Sequence, residues 1–342
     1  MTLEAVRVVD LGAPFDLPRT ISVLQRGHAD PSIRADPGTF RGGVRGTPGA
    51  GAWMAQRQYD PAGQHMGAAT LRFDQLDASR VRVRAVADSE AALVSALGRS
   101  ATALGAQDDW TELELLLDAL GDLVSTTLAQ VRRRHPGVRL PATGALFDQL
   151  VTATLEQKVT HGEARHGWRQ LLRRHGNPVP SCASLPAPSW LRLPLTAHQL
   201  KRVPSWQWHQ MWVQPPLSRT ILRLADRAGS IHRLGHSTAT ETGSVGALAE
   251  QLQVIPGIGR WTTAEALQRS HGAADLPAVG DYHLAHFVGE ALTGRRTDDA
   301  GMLQLLEPFE PHRQRVIRLL KLSGFRGERF GPRLEPADHR GR

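Results

Sequence analysis

The spacing of apolar residues divides the chain into two regions with different periods. From residue 5 to about residue 87, apolar and polar residues alternate in short runs, as in residues 80–85, which read RVRVRA. Because successive side chains of a strand point to opposite faces, this run puts its valines on one face and its arginines on the other. The pattern predicts an antiparallel sheet, and Ser89 to Leu104 are predicted to form a helix that covers one of its faces. Clusters of Gly and Pro predict irregular turns at residues 37–38, 42–43, 46–51 and 61–63.

From Trp110 onward the apolar spacing becomes three and four residues, which is the period of an amphipathic helix. The first such stretch ends in three arginines at 132–134 and the breakers Pro136 and Gly137, so it predicts one long helix that ends near residue 134. The proline-rich segment 177–216 predicts short helices and loops. Further helices are predicted at residues 146–160, 163–175, 217–228, 245–252, 261–270, 282–292 and 313–322.

The two patterns together predict an α+β protein. Residues 1–108 are predicted to form a small antiparallel sheet domain with helices, and residues 109–325 a larger all-helical region. Residues 326–342 are polar and rich in Arg and Pro, which is typical of a disordered tail.

The charge of the chain favours a polyanionic partner. Its 342 residues carry a formal net charge of +8, and almost all of the positive charge is arginine, because Lys158, Lys201 and Lys321 are the only lysines. Guanidinium groups bind phosphates through two hydrogen bonds at once. A high-GC genome is an alternative explanation for the shortage of lysine, but it does not explain the excess of positive over negative charge. The balance is typical of a protein that binds nucleic acid.

Other features exclude several classes of protein. Cys182 is the only cysteine, so an internal disulfide, a four-thiolate zinc site and an iron–sulfur cluster are excluded. No apolar run is long enough to span a bilayer. The N-terminal residues lack the basic start and apolar core of an export signal. These features predict a protein of the bacterial cytoplasm with no membrane partner, and we expect it to be a monomer.

The most informative segment is residues 252–284, which read LQVIPGIGRWTTAEALQRSHGAADLPAVGDYHL. Two glycines lie between two helical patterns, and the second helix begins directly after them. Because glycine has no side chain, the backbone amides at these positions can approach a ligand closely. The free N–H groups and the positive end of the helix dipole favour a phosphate as that ligand. A purely structural turn is the alternative, but the complete string is much more specific than Gly-x-Gly alone. The predicted DNA-binding residues here are Pro256, Gly257, Ile258, Gly259, Arg260 and Thr262.

The hairpin segment resembles the helix-hairpin-helix glycosylase superfamily, in particular its DNA-3-methyladenine glycosylase II branch. The resemblance extends to Gly137-Val138-Arg139-Leu140-Pro141, to a Gln-x-Val-Thr signature at residues 157–160, and to Pro311-x-Arg313 before the last helix. It is strong from residue 137 to residue 324 and looser before that, where the sheet fits the N-terminal domain of this branch.

The resemblance implies a catalytic carboxylate at Asp281, with Asp275 as a nearby alternative. An anion in a poorly solvated pocket stabilises the positive charge that builds on the sugar when an N-glycosidic bond breaks, and it can activate water. An Asp at a helix start is also a common N-cap, and both roles can coexist. Superfamily members that cut the strand carry a nucleophilic Lys after the hairpin, where this chain has Trp261. The enzyme is therefore expected to be monofunctional and to leave an abasic site.

The expected partner is double-stranded DNA with a damaged base, and the expected substrates are purines alkylated at N3 or N7. Such bases are cationic, so they stack favourably on aromatic rings. Trp261 has an alternative role as an ordinary core aromatic. The residues predicted to line the base pocket are Trp261, Tyr282, His312 and Gln157.

Two further residues are predicted to contact the DNA. Leu140 is expected to fill the gap that a flipped base leaves, and Arg313 is expected to bind the backbone. His312 stands where the branch commonly has Trp, which leaves two alternatives open: a glycosylase for deaminated or oxidised bases, and a non-catalytic DNA-binding module.

No metal site and no organic cofactor are predicted. A monovalent cation on the hairpin carbonyls is a further hypothesis that the sequence does not decide. His283 and His286 near Asp281 have a spacing typical of a helix surface, and no third ligand accompanies them.

Overall fold

In the computed structural model, residues 2–36, 49–237 and 244–327 are described. The predicted turns at residues 37–38, 42–43 and most of 46–51 lie outside this part of the chain. The same holds for the predicted tail, except for its first two residues.

Five antiparallel strands form one sheet in the order β1-β5-β4-β3-β2. The strands are β1 (Leu3–Asp10), β2 (Ile33–Asp36), β3 (Gly51–Tyr59), β4 (His65–Gln75) and β5 (Arg80–Ala87). In β5 the valines Val81 and Val83 are buried and Arg80 and Arg82 are exposed, so the predicted alternation is confirmed. Helix α1 (Leu17–Ser22) and helix α2 (Glu90–Ala103) share the apolar core of this sheet.

Helices make up most of the rest of the described chain, and most of them are joined by short connections, apart from the long connection of residues 176–196 between α6 and α7. They are α3 (Thr111–Leu120), α4 (Leu123–Arg134), α5 (Leu146–Leu155), α6 (His161–His175), α7 (Ala197–Lys201), α8 (Ser205–Gln210), α9 (Pro215–Asp226), α10 (Ala228–Ser237), α11 (Ser244–Gln253), α12 (Arg260–Ser270), α13 (Leu284–Thr293), α14 (Asp299–Leu306) and α15 (Arg313–Leu322). The predicted α+β class is confirmed. None of the described helices is long and apolar enough to cross a membrane.

The helix predicted to run unbroken to residue 134 is in fact two helices, so that prediction is wrong. Gly121 adopts a left-handed conformation, with φ of 62°, and ends α3. The side chain of Asp122 then accepts a hydrogen bond of 2.7 Å from the backbone N–H of Ser125 and caps α4. Leucine spacing continues across this break, because both helices bury their apolar faces in the same core.

Helix α12 lies between the two apolar cores of the helical region. Ala266 and Leu267 belong to the core built largely on α5, α6 and α9, whereas Ala264 belongs to the core shared by α3, α4, α13 and α15. Trp261 packs partly buried against the second core. The two cores therefore fix the start of α12, and with it the hairpin.

A buried carboxyl group lies where α5 meets the sheet. Burial raises the pKa of Asp148 to about 7, and the opposing charge of Arg57 on β3 does not cancel that effect. A carboxyl that is harder to ionise in the folded state stabilises the fold fully below its unfolded pKa of about 4. That contribution is lost as the pH rises through 7.

Replacing Asp148 by Asn is therefore expected to stabilise the protein above pH 7, by at most about 4 kcal/mol, and to flatten the dependence of stability on pH. Urea denaturation at pH 5 and pH 8 measures this. The matched control is Glu250→Gln on the exposed surface of α11, which should leave the pH dependence as it is. If the pH dependence of stability is unchanged in the Asp148→Asn variant, the pKa of Asp148 is not raised in the folded protein.

Candidate active site

The hairpin between α11 and α12 requires glycine at one of its two glycine positions. Gly257 has φ of 95°, and a Cβ atom there would lie 2.4 Å from Oγ1 of Thr220 on α9. Gly259 has φ of −103° and caps the start of α12, and a Cβ atom there would meet nothing within 4 Å. Gly257 thus fits the fold closely, whereas Gly259 leaves open space in front of the helix.

The outer side of the hairpin is available to a ligand. Pro256, Gly257, Gly259 and Arg260 are exposed, and no side chain caps the N-terminus of α12. Free N–H groups at a helix start, together with the helix dipole, favour an anion such as a phosphate. Ile258 points inward and is 4% exposed, so only its backbone can reach a ligand.

Gln157, at the turn after α5, braces the hairpin. Its Nε2 donates hydrogen bonds of 2.8 Å to the carbonyl of Gly257 and 2.7 Å to Oγ1 of Thr262. The amide nitrogen of Gln157 is therefore engaged with the loop, and its place in the base pocket stays a prediction. Thr262 is buried by the same contact, so its side chain holds the hairpin and does not face a ligand.

Replacing Gln157 by Ala is expected to weaken binding to duplex DNA by roughly tenfold, because two hydrogen bonds that hold the hairpin are lost at about 0.5 to 1.5 kcal/mol each. Fluorescence anisotropy at fixed salt measures the affinity. Gln253→Ala is the control, since Gln253 bonds only to Ala249 of its own helix. Equal affinity of the two variants contradicts the bracing role.

Asp281 lies three residues before the first residue of α13 and is held by three donors. Its Oδ1 accepts hydrogen bonds of 2.9 Å from the backbone N–H groups of His283 and Leu284, and its Oδ2 accepts one of 3.2 Å from Nε1 of Trp261. All three donors fix the orientation of the carboxylate. The side chain remains partly exposed. The N-cap residue of α13 is His283 and not Asp281, so the expected N-cap role is wrong, but Asp281 binds the first backbone N–H group of that helix as a fixed, accessible side chain.

Asp275, the alternative to Asp281, forms an ion pair with Arg313. Nη2 of Arg313 lies 2.6 Å from Oδ2 of Asp275, and Nε lies 2.8 Å from Oδ1. The Asp275 carboxylate raises the pKa of Arg313. Two nitrogens of the Arg313 guanidinium are therefore bound to a carboxylate, and DNA binding by Arg313 stays a prediction. Because Asp275 is held in this ion pair, Asp281 is the better candidate for the catalytic carboxylate.

Leu140 and His312 are buried, contrary to prediction. Leu140 is 7% exposed in the core shared by α3, α4 and α13, and its N–H donates a 2.6 Å hydrogen bond to Asp108. Leu140 is therefore not exposed, as a side chain that fills the gap left by a flipped base would have to be. His312 is 2% exposed, and its Nδ1 lies 2.7 Å from Nη1 of Arg315. Burial, aided by the Arg315 charge, lowers the pKa of His312, so a neutral ring packs inside the protein and lines no base pocket.

Only one of the two predicted pocket rings contacts Asp281. The Trp261 indole donates a hydrogen bond to Asp281. Tyr282 is 66% exposed and packs edge-on against His283, with 4.8 Å between the two ring centroids. Trp261 is therefore fixed at Asp281, and the place of Tyr282 in the base pocket stays a prediction.

Sequence reasoning did not single out two charged residues, Glu265 and Lys321, whose charges act on each other. Glu265 lies one turn after Trp261 on α12, and this i, i+4 spacing puts both on one face of the helix. Lys321, near the end of α15, interacts electrostatically with both Glu265 and Asp281. The helical spacing of Glu265 was a usable signal, but no local pattern indicated Lys321.

Within the described ranges, no group of three or more His, Cys, Asp and Glu residues is arranged to hold a metal ion. Two hairpin carbonyls already accept hydrogen bonds, Gly257 from Gln157 and Pro256 from Arg223 at 3.4 Å. A monovalent cation at the hairpin stays a prediction.

Comparison with solved structures identifies the architecture. A 3-methyladenine DNA glycosylase from Archaeoglobus fulgidus superposes with a TM-score of 0.68 at 16% identity, covering 93% of this chain and 98% of that one. The fold is that of the helix-hairpin-helix DNA glycosylases. An 8-oxoguanine glycosylase/lyase from Clostridium acetobutylicum has a TM-score of 0.63 at 10% identity, covering 94% and 98%.

The same clostridial enzyme in complex with double-stranded DNA has a TM-score of 0.62 at 9% identity and covers 94% and 96%. By sequence, no family model and no curated protein matches this chain. The helix-hairpin-helix glycosylase fold thus spans nearly the whole chain and includes solved enzymes with different substrates in their names.

Proposed function

We propose that this protein is a DNA glycosylase that hydrolyses the N-glycosidic bond of a damaged base in double-stranded DNA. The observation that carries the proposal is the fixed carboxylate of Asp281, held by Trp261 and two backbone N–H groups, one short loop and one helix away from the exposed hairpin. The glycosylase fold and the net positive charge support it.

The chemistry follows from the placement of these groups. The hairpin binds the backbone while the target nucleotide leaves the helix, at a cost of a few kcal/mol. As the bond to the base breaks, positive charge develops on the sugar, and the Asp281 carboxylate stabilises it. Asp281 also accepts the proton of the water that adds to C1′, so the products are a free base and an abasic site.

We propose a monofunctional reaction. Superfamily members that cut the strand use a lysine after the hairpin, and this chain has Trp261 there. An indole nitrogen that donates to Asp281 is no nucleophile. A monomer that acts on DNA in the bacterial cytoplasm is the working hypothesis for assembly and location.

Two substrate classes are candidates. Alkylated purines are the first, because Trp261 offers a ring for a cationic base. Deaminated or oxidised bases are the second, and the 8-oxoguanine glycosylase/lyase that shares this fold supports them.

Four duplexes, carrying 3-methyladenine, 7-methylguanine, hypoxanthine or 8-oxoguanine, test the function. Free base is measured before alkali, and strand breaks are measured before and after alkali. We expect free base from at least one duplex and strand breaks only after alkali. Absence of free base from all four contradicts the enzyme, and breaks without alkali contradict the monofunctional reaction.

A further inference from the structure

Three exposed arginines form a stripe along α9. They are Arg219, Arg223 and Arg227, the last of which directly follows the final residue of the helix. A spacing of four residues brings successive side chains to one face of a helix. At a rise of about 1.5 Å per residue, the arginine stripe is about 12 Å long.

The arginine stripe adjoins the hairpin. Nη1 of Arg223 donates a hydrogen bond of 3.4 Å to the carbonyl oxygen of Pro256. Thr220, on the inner side of the same helix, lies directly against Gly257. The exposed Arg260 begins α12 only three residues after Gly257. The arginine stripe and the outer side of the hairpin therefore form one positively charged surface.

The charge of the arginine stripe is not neutralised within the described part of the chain. None of its three guanidinium groups forms an ion pair with a described carboxylate. The only carboxylate of α9 is Asp226, which pairs with Lys201 at 2.8 Å. Arginines that hold the fold together are paired, as Arg313 is with Asp275 at 2.6 Å. The guanidinium groups of the stripe thus keep donors for an external anion.

The opposite face of α9 fixes the arginine stripe in place. Leu217, Ile221 and Leu224 on that face are buried in the core that also contains Leu267 of α12. Because both helices share this core, the stripe is held at a set position relative to the hairpin. A rigid row of charges loses little freedom when it binds a repeating anion.

We propose that the arginine stripe binds the phosphate backbone of duplex DNA beyond the nucleotides that the hairpin contacts, on one side of the damaged base. This inference rests on the double-stranded DNA partner and the glycosylase function proposed above. It is carried by a row of three exposed, unpaired arginines that touches the hairpin. One strand of a duplex has a phosphate about every 3.4 Å along the axis, so the stripe matches about three to four phosphates.

Binding to phosphates has a recognisable signature. Each phosphate that is neutralised releases condensed counterions, and the slope of log affinity against log salt becomes steeper by about 0.9. At about 0.1 M salt this corresponds to nearly tenfold in affinity for each contact. Phosphates carry no sequence information, so the stripe should strengthen binding to damaged and undamaged duplexes by the same factor.

Fluorescence anisotropy with the full-length protein tests the proposal on two long duplexes, one undamaged and one with a tetrahydrofuran abasic-site analogue at its centre. The combined Arg219→Gln and Arg227→Gln variant is expected to bind both duplexes about 10²-fold more weakly at about 0.1 M salt. Its salt slope should be shallower by about 2. Arg223 is left unaltered because it also contacts the hairpin.

Two further variants separate charge from structure. The combined Arg219→Lys and Arg227→Lys variant keeps both charges and should retain most of the affinity and the salt slope. The matched control is Arg173→Gln with Arg174→Gln, which removes two exposed charges in the last turn of α6, about 18 Å along that helix from its start. This control should bind both duplexes like the unaltered protein.

Duplexes shortened on one side of the abasic-site analogue locate the contact. Shortening the arm that lies on the arginine stripe should weaken the unaltered protein to the level of the double glutamine variant. The same shortening should not weaken that variant further, because the contact is already lost. Shortening the other arm should affect both proteins equally.

Several outcomes would overturn the proposal. They are an unchanged salt slope in the double glutamine variant, equally weak binding by the lysine variant, an equal loss in the control, and a loss that depends on neither arm. If the unaltered protein binds duplex DNA through the stripe but releases no base, the glycosylase function fails and the stripe remains. If the unaltered protein binds no duplex DNA, both proposals fail.

Discussion

Replacement of Asp281 by Asn is expected to slow base release on the order of 10³-fold while DNA affinity changes little. Asn keeps the size of the side chain, and its oxygen can still accept hydrogen bonds from the backbone N–H groups of His283 and Leu284. It has no negative charge to stabilise the sugar and no basicity to accept a proton from water. Single-turnover release of free base, with duplex binding measured in parallel, checks this expectation.

The matched control is Asp275→Asn, which removes a carboxylate only six positions away in the chain. It leaves the Arg313 guanidinium without its closest partner, so we expect a loss of about 1 kcal/mol in stability and near-normal base release. If the Asp281→Asn variant releases base at the normal rate, the protein is a DNA-binding module or uses another carboxylate. If the Asp275→Asn variant loses its activity at full stability, Asp275 is that carboxylate.

Replacement of Gly257 by Ala is expected to destabilise the protein by about 1 to 3 kcal/mol and to abolish tight binding to duplex DNA. The added methyl group would lie 2.4 Å from Oγ1 of Thr220, in a backbone conformation that Ala rarely adopts. The loop must shift, and the N-terminus of α12 shifts with it. Thermal unfolding and duplex binding at several salt concentrations measure both effects.

Gly259→Ala distinguishes folding from DNA contact at the same loop. Its methyl group would meet no protein atom, and its φ suits any residue, so stability should change by less than about 1 kcal/mol. The methyl group would stand in front of the first N–H groups of α12, where a phosphate is expected, so affinity should still fall. Normal affinity in this variant would place the DNA elsewhere.

Several elements were predictable because their signals are local. The alternation in residues 80–85 becomes β5 with its valines buried, and the string around Gly257 and Gly259 becomes a hairpin that begins a helix. The break between α3 and α4 was missed because leucine spacing continues across Gly121. A glycine within a helical pattern is ambiguous until packing decides whether the chain turns there.

Site residues were harder to predict because their positions depend on partners distant in the chain. Leu140 looked like an exposed loop leucine, but Asp108 binds its backbone and a helical core covers it. Gln157 lies 100 residues before Gly257 and nevertheless holds its carbonyl. A motif gives the type of residue at a position, whereas contacts between separate helices give its neighbours.

The sequence by itself determined the sheet, the hairpin and the carboxylate at Asp281, because periodicity, glycine placement and chain order are properties of short segments. Only the tertiary structure decided that Arg313 pairs with Asp275, that His312 is buried and that Trp261 donates a hydrogen bond to Asp281. Each of these depends on how α12, α13 and α15 pack, and packing brings together charges that are distant from one another in the chain. The chemistry around the candidate carboxylate is therefore set by helix packing, although the carboxylate itself was evident from the sequence.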